Sequence, residues 1–150
     1  MSVVAHAQDS AQVEPKANAT AFVIPPDING LKTIVQPPGA AKEVKVGIFD
    51  GKGAPGDGIN NVINVLKTLP LATVTRIPGD QMGTIDLKQF DVIVFSGGSG
   101  SQQAKSIGEA GLKNVREYVR GGGGYCGICA GAYLACSNFS WGLGILNAST

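Results

Sequence analysis

From residue 44 onward, short apolar runs alternate with stretches in which apolar residues recur every three or four positions. Val44-Lys45-Val46-Gly47-Ile48-Phe49 reads as a buried strand that ends at Asp50-Gly51. A turn-rich stretch over residues 51–56 leads to Asp57, the expected cap of a helix. Its Ile59, Val62, Ile63, Leu66 and Leu69 share one face until Pro70 stops it. Residues 72–77 alternate Thr73 and Thr75 with Val74, the pattern of an edge strand with one buried face, and Pro78-Gly79-Asp80 closes it. The next strand, Asp91-Val92-Ile93-Val94-Phe95, reads as apolar, as a strand covered on both faces must be, and it runs into Ser96-Gly97-Gly98-Ser99-Gly100.

Residues 101–120 follow with helical periodicity, broken near Gly108 and Gly111, with Leu112, Val115, Tyr118 and Val119 on the buried face. Gly121 is expected to end that helix in the left-handed conformation. Tyr125-Cys126-Gly127-Ile128 is a short strand, and residues 129–136 carry the small side chains of a tightly packed helix. The succession strand, helix, strand, strand, helix, strand, helix predicts a doubly wound, mainly parallel α/β sheet over residues 41–150.

Residues 1–40 differ in kind: they hold five of the chain's eight prolines and little periodicity, and are expected to form an extended leader. Ala5-His6-Ala7 has the small-residue form of a secretory cleavage site without the charged and apolar regions that precede one. Localisation therefore stays open between export to the periplasm and the cytoplasm.

Composition narrows the function classes. The chain has 150 residues, is 43% apolar and carries a net charge of +1 with 15% charged residues, so phosphate-driven nucleic-acid binding is disfavoured. No apolar run approaches the ~20 residues that span a bilayer. Three cysteines, Cys126, Cys129 and Cys136, lie within eleven residues, an odd and crowded set that makes a poor disulfide framework.

Gly127-Ile128-Cys129-Ala130-Gly131 has the form G-x-nucleophile-x-G between a strand and a helix, the arrangement of a nucleophile elbow. The turn forces Cys129 into a strained backbone conformation, and glycines two residues to either side let neighbouring backbone approach. A thiol placed there sits at a helix N-terminus above the carboxyl end of the sheet, a setting that favours the thiolate used in acyl transfer. Two donors for an oxyanion follow from the same geometry, the Ala130 N–H and an N–H of the Gly97-Gly98-Ser99 loop. The competing reading is packing alone, with small residues seating a helix on its strand and Cys129 a small hydrophobe.

These strings, together with Phe95-Ser96-Gly97-Gly98 upstream and Gly142-Leu143-Gly144-Ile145-Leu146 downstream, resemble the class I glutamine amidotransferase-like superfamily. Within it they resemble the N-terminal domain of biotin-protein ligases and related stand-alone bacterial proteins, over roughly residues 44–150. The resemblance implies a flavodoxin-like three-layer sandwich, Cys129 as the nucleophile, and Gly98 and Ala130 at the border of the oxyanion hole. It also implies an amide or other acyl group as small-molecule substrate and no cofactor. Gly97, Ser99, Asp50 and Tyr133 are the accompanying pocket candidates.

The sequence departs from the family pattern in one respect. Family hydrolases complete a Cys-His-Glu triad beyond the nucleophile, whereas the one histidine here is His6, in the leader, and the sequence stops at Thr150. The expectation is a C-terminally truncated copy, inactive as it stands, in which Leu143-Gly144-Ile145-Leu146 begins the next sheet element. The alternative is a non-catalytic ligand- or partner-binding module of the same fold; a homo-oligomer is compatible with either.

Three other constellations weigh less. Cys126-x-x-Cys129 has redox-motif spacing, but Cys126 falls inside the strand instead of at the helix start. A zinc site built on the three cysteines lacks a fourth ligand. Residues 51–56 match no phosphate-loop pattern and read as a turn. Asp57 is read first as a helix cap and second as a site carboxylate, and Trp141 as a core aromatic.

Overall fold

The structure, a computed structural model, describes residues 42–150. The expected leader over residues 1–40 lies outside the described residues. Four strands, β1 (Val44–Asp50), β2 (Ala72–Pro78), β3 (Val92–Phe95) and β4 (Gly124–Gly127), form one sheet in the order β2-β1-β3-β4. Every pairing is parallel. Helices α1 (Gly56–Leu66), α2 (Gly100–Arg120) and α3 (Ala130–Ala135) complete the α/β domain.

The strand sequences account for the layers. Alternate residues of a strand face opposite sides of the sheet, and each side has its own core. Val46, Ile48 and Val94 pack with Ile59 and Ile63 of α1. Phe49, Ile77, Ile93 and Phe95 pack with Ala104, Ile107, Leu112, Val115 and Tyr118 of α2 and Leu134 of α3. On this second side the rings of Phe49, Phe95 and Tyr125 stack across β1, β3 and β4, with centroids 5.0 and 5.6 Å apart. Gly47 makes room for the layer: a Cβ there would lie 2.7 Å from the Cδ1 atoms of both Ile77 and Ile93.

Several local expectations change. Asp57 does not cap α1: Pro55 occupies that position without a side-chain bond, and Asp57 sits in the first turn, where a carboxylate favours the helix dipole. The helix ends at Leu66, so Leu69 lies in the following turn, its N–H donating to the Leu66 carbonyl at 3.0 Å. Gly108 does interrupt α2, at φ 64° and ψ 179°. Gly111 does not; it is buried where a Cβ would come within 2.7 Å of Ile107 Cβ and 3.2 Å of Met82 Cβ. The left-handed residue after α2 is Gly122 at φ 96°, one position later than expected, since Gly121 stays at φ −78°.

Two segments without periodicity also contribute. The connection from β2 to β3 has two 3₁₀ turns, Gly79–Gln81 and Leu87–Gln89, and it buries Met82, Leu87 and Phe90. Leu143-Gly144-Ile145-Leu146 does not join the sheet: its one bridge pairs Leu146 with Cys136. That stretch is held by the Arg116 guanidinium, which donates to the carbonyls of Gly142 and Leu143 at 2.8 Å each. Among the described residues, no helix is long and apolar enough to cross a membrane.

Candidate functional site

The strand order reverses direction between β1 and β3, and the carboxyl ends of strands at such a reversal are the usual ligand position in these sheets. Three chain segments meet there: residues 51–55 after β1, residues 96–99 after β3, and the turn from β4 into α3.

The turn centres on Cys129, at φ 53° and ψ −108°, the one non-glycine residue with positive φ among the described residues. Its neighbours explain how it is held. A Cβ on Gly127 would lie 2.5 Å from the Gly131 carbonyl oxygen, and one on Gly131 would overlap the Phe95 carbonyl. The Phe95 carbonyl in turn accepts the Ile128 N–H at 2.9 Å, extending the β3–β4 pairing into the turn. Below it, the Tyr125 hydroxyl donates to the Gly131 carbonyl at 2.7 Å. Burial pushes the Tyr125 phenol well above its usual range, with smaller contributions from Cys126 and Cys136, so it remains a donor at ordinary pH.

Cys129 is exposed and faces the glycine loop. A Cβ built on Gly97 would lie 3.5 Å from Cys129 Cβ and 3.9 Å from its Sγ. Gly98 crosses the β1 loop at φ 122°, where a Cβ would overlap the Gly53 carbonyl oxygen, and the Ser99 N–H donates to that same oxygen at 2.8 Å. Ala130 opens α3, so its N–H has no carbonyl a turn earlier to bond. Ser99 precedes α2 without capping it; its hydroxyl lies 3.4 Å from that of Ser101. A cavity of about 390 Å³ runs along residues 51–55 with Gly98, Ser99 and Gln102.

Gly97, Gly98 and Cys129 are thus brought together. The Asp50 carboxylate pairs with Arg76 Nη1 at 3.1 Å, and Arg76 Nη2 bonds the Asn60 carboxamide. Tyr133 is 47% exposed, and its ring meets Phe139 edge-on at 6.3 Å. Cys126 lies within β4 and is exposed, whereas Cys136 is buried, its thiol 3.4 Å from the Ala132 carbonyl.

Two participants had no signal of their own in the sequence. Trp141, expected as a core aromatic, stacks on Phe139 at 4.6 Å and fills the space beside Gly100, where a Cβ would lie 2.9 Å from the indole and 3.1 Å from the Ala130 carbonyl oxygen. Gln103, polar and one turn into α2, is fully buried and donates from Nε2 to the carbonyls of Ser96, Gly53 and Gly97 at 2.8, 3.2 and 3.3 Å. A buried polar residue just after a glycine loop is the only hint that could have singled it out.

Comparison with known proteins bears on residues 44–148, which match a family described as "Biotin-protein ligase, N terminal". An uncharacterized protein of Chlamydia muridarum (strain MoPn / Nigg) is 40% identical over 50 residues, 33% of this chain and 19% of that protein. The match thus spans about a fifth of the length of that relative.

Proposed function

Because the chain belongs to the biotin-protein ligase N-terminal family, with its glutamine amidotransferase-like fold, we propose that it is an amidohydrolase- or amidotransferase-like domain in which Cys129 attacks an amide or other acyl group. The observation that carries this reading is the backbone of Cys129: φ 53° is costly for a residue with a Cβ, and the turn that imposes it leaves the thiol exposed. In the proposed step a lone pair of the Cys129 thiolate forms a bond to the carbonyl carbon while the C=O π pair moves onto oxygen. The Ala130 and Gly98 N–H groups are the proposed donors to that oxyanion. Collapse restores the carbonyl and breaks the bond to the leaving group, which departs with the bonding pair and, when it is an amine, takes a proton from water, leaving a thioester on Cys129. Gly97 and Ser99 then line the entry, with Tyr133 at its outer edge.

The second reading, a ligand- or partner-binding module, is favoured by one observation. No histidine is among the described residues to act as a general base toward Cys129. The two readings separate when the folded protein is treated with p-nitrophenyl acetate and the acylated site is mapped by mass spectrometry. An acyl-transfer site predicts acetylation of Cys129 at least ~10-fold faster than Cys126, the other exposed thiol, and loss of that product in Cys129→Ala. Equal labelling of the two thiols would remove the catalytic reading and leave the binding module.

A further inference from the structure

We infer that Gln103 is a positioning residue that sets the oxyanion-facing side of the glycine loop; this rests on the reading of Cys129 as a nucleophile. Gln103 is fully buried, and its carboxamide nitrogen reaches the Ser96 carbonyl at 2.8 Å, the Gly53 carbonyl at 3.2 Å and the Gly97 carbonyl at 3.3 Å. One side chain thereby joins the loop after β1 to the loop after β3.

The third contact matters most for chemistry. The Gly97 carbonyl belongs to the same peptide unit as the Gly98 N–H, and in a planar trans peptide the two point in opposite directions. Drawing the Gly97 oxygen inward, toward Gln103, therefore turns the Gly98 N–H outward, to the side away from the buried amide. The position a Gly97 Cβ would take is 3.9 Å from Cys129 Sγ, so this same peptide borders the thiol. Gly98 at φ 122° allows the loop to keep that orientation while passing under the Gly53 carbonyl.

The amide is satisfied on its donor side only. The Gln103 Oε1 atom is buried with no hydrogen-bond partner among the described residues, and an unsatisfied buried acceptor is unfavourable. An apolar side chain of the same shape would avoid that cost but leave the Ser96 and Gly97 carbonyls without this donor and lose the hold on the Gly97 peptide. Retaining the amide is therefore explained by where it points its donors.

The test compares two reactions of Cys129 in the full 150-residue protein. Acetylation by p-nitrophenyl acetate passes through an oxyanion: the S–C bond forms, the C–O bond to p-nitrophenolate breaks, and p-nitrophenolate departs with the electron pair. Alkylation by iodoacetamide displaces iodide from an sp³ carbon and forms no oxyanion. In Gln103→Met, acetylation of Cys129 should slow by ~10-fold or more while alkylation stays within about twofold of the wild type. Should Gln103→Met fail to give a cooperative melt, Gln103→Asn, which withdraws the same amide by one methylene, is judged by the same ratio. A common fall in both rates assigns Gln103 a merely structural role and overturns the proposal, as does an unchanged acetylation rate. If wild-type Cys129 is acetylated no faster than Cys126, the nucleophile reading fails, and the positioning role goes with it.

Discussion

Replacing Cys129 by glycine should stabilise the protein relative to replacing it by alanine, the reverse of what the same pair does almost anywhere else in the chain. Cys129 holds φ 53° and ψ −108°, a region that any residue with a Cβ occupies at a cost of roughly 1–3 kcal/mol. Alanine keeps the Cβ and the cost; glycine removes it. Glycine also gives the unfolded chain more freedom, which offsets roughly 0.5–1 kcal/mol of the gain. Cys129 is exposed, so truncation loses little buried surface in either variant. The difference should be about 1 kcal/mol in favour of glycine, a Tm higher by roughly 3–5 °C for a domain of this size. Lys105, exposed and within α2, supplies the control, because there glycine should fall below alanine by about 1 kcal/mol. Thermal melts followed by circular dichroism on the four variants decide the matter. A Cys129→Gly protein that melts at or below Cys129→Ala would show that the elbow stores no strain, and would remove the main physical support for reading Cys129 as functional.

Two further perturbations test the scaffold around the elbow. Gly131→Ala puts a Cβ into the Phe95 carbonyl, a backbone group with no flexible end to move aside. Urea melts should therefore show a loss of roughly 1–3 kcal/mol, whereas Gly56→Ala, with open space around its Cβ, should stay neutral or gain up to about 1 kcal/mol. Burial raises the Tyr125 phenol above its usual 10.0, so above pH ~10 the unfolded chain releases this proton first and stability should fall as pH rises. Tyr125→Phe should flatten that alkaline limb in Tm-versus-pH melts and lower stability by about 1 kcal/mol below pH 9, through loss of the bond to Gly131. An alkaline limb as steep as that of the wild type would refute the assignment.

How much of this was legible in the sequence depended on whether a residue's role was local. β1 and β3 are apolar runs with glycine at their ends, and that composition suffices to make them buried strands. The elbow was equally readable, because the glycines that relieve it lie within two positions of Cys129. Gly108 and Gly111 show where this stops. Both are glycines within one helical pattern, yet the first breaks the helix and the second lets it approach Met82, a residue 29 positions away. Gln103 lies on the buried face of α2, and helical periodicity alone gives a polar residue there no role. Its role comes from three carbonyls, of Gly53 in one loop and of Ser96 and Gly97 in another, that converge on one buried point. The Asp50–Arg76 pair was out of reach for the same kind of reason, because Arg76 comes from the neighbouring strand.

The local and nonlocal parts are related by a physical division of labour. Around this site the close approaches are backbone against backbone: Gly98 on the Gly53 carbonyl, Gly127 on the Gly131 carbonyl, Gly131 on the Phe95 carbonyl. Backbone positions follow the strands that carry them, and those strands are fixed by the two cores and by the ring stack of Phe49, Phe95 and Tyr125 on one side. A loop made chiefly of glycine would otherwise be the least constrained part of such a sheet. Gln103 and the Tyr125 hydroxyl are the side chains that reach from those layers into the loops, each by hydrogen bonds to main-chain carbonyls. The loops around Cys129 can therefore be rich in glycine without being loose.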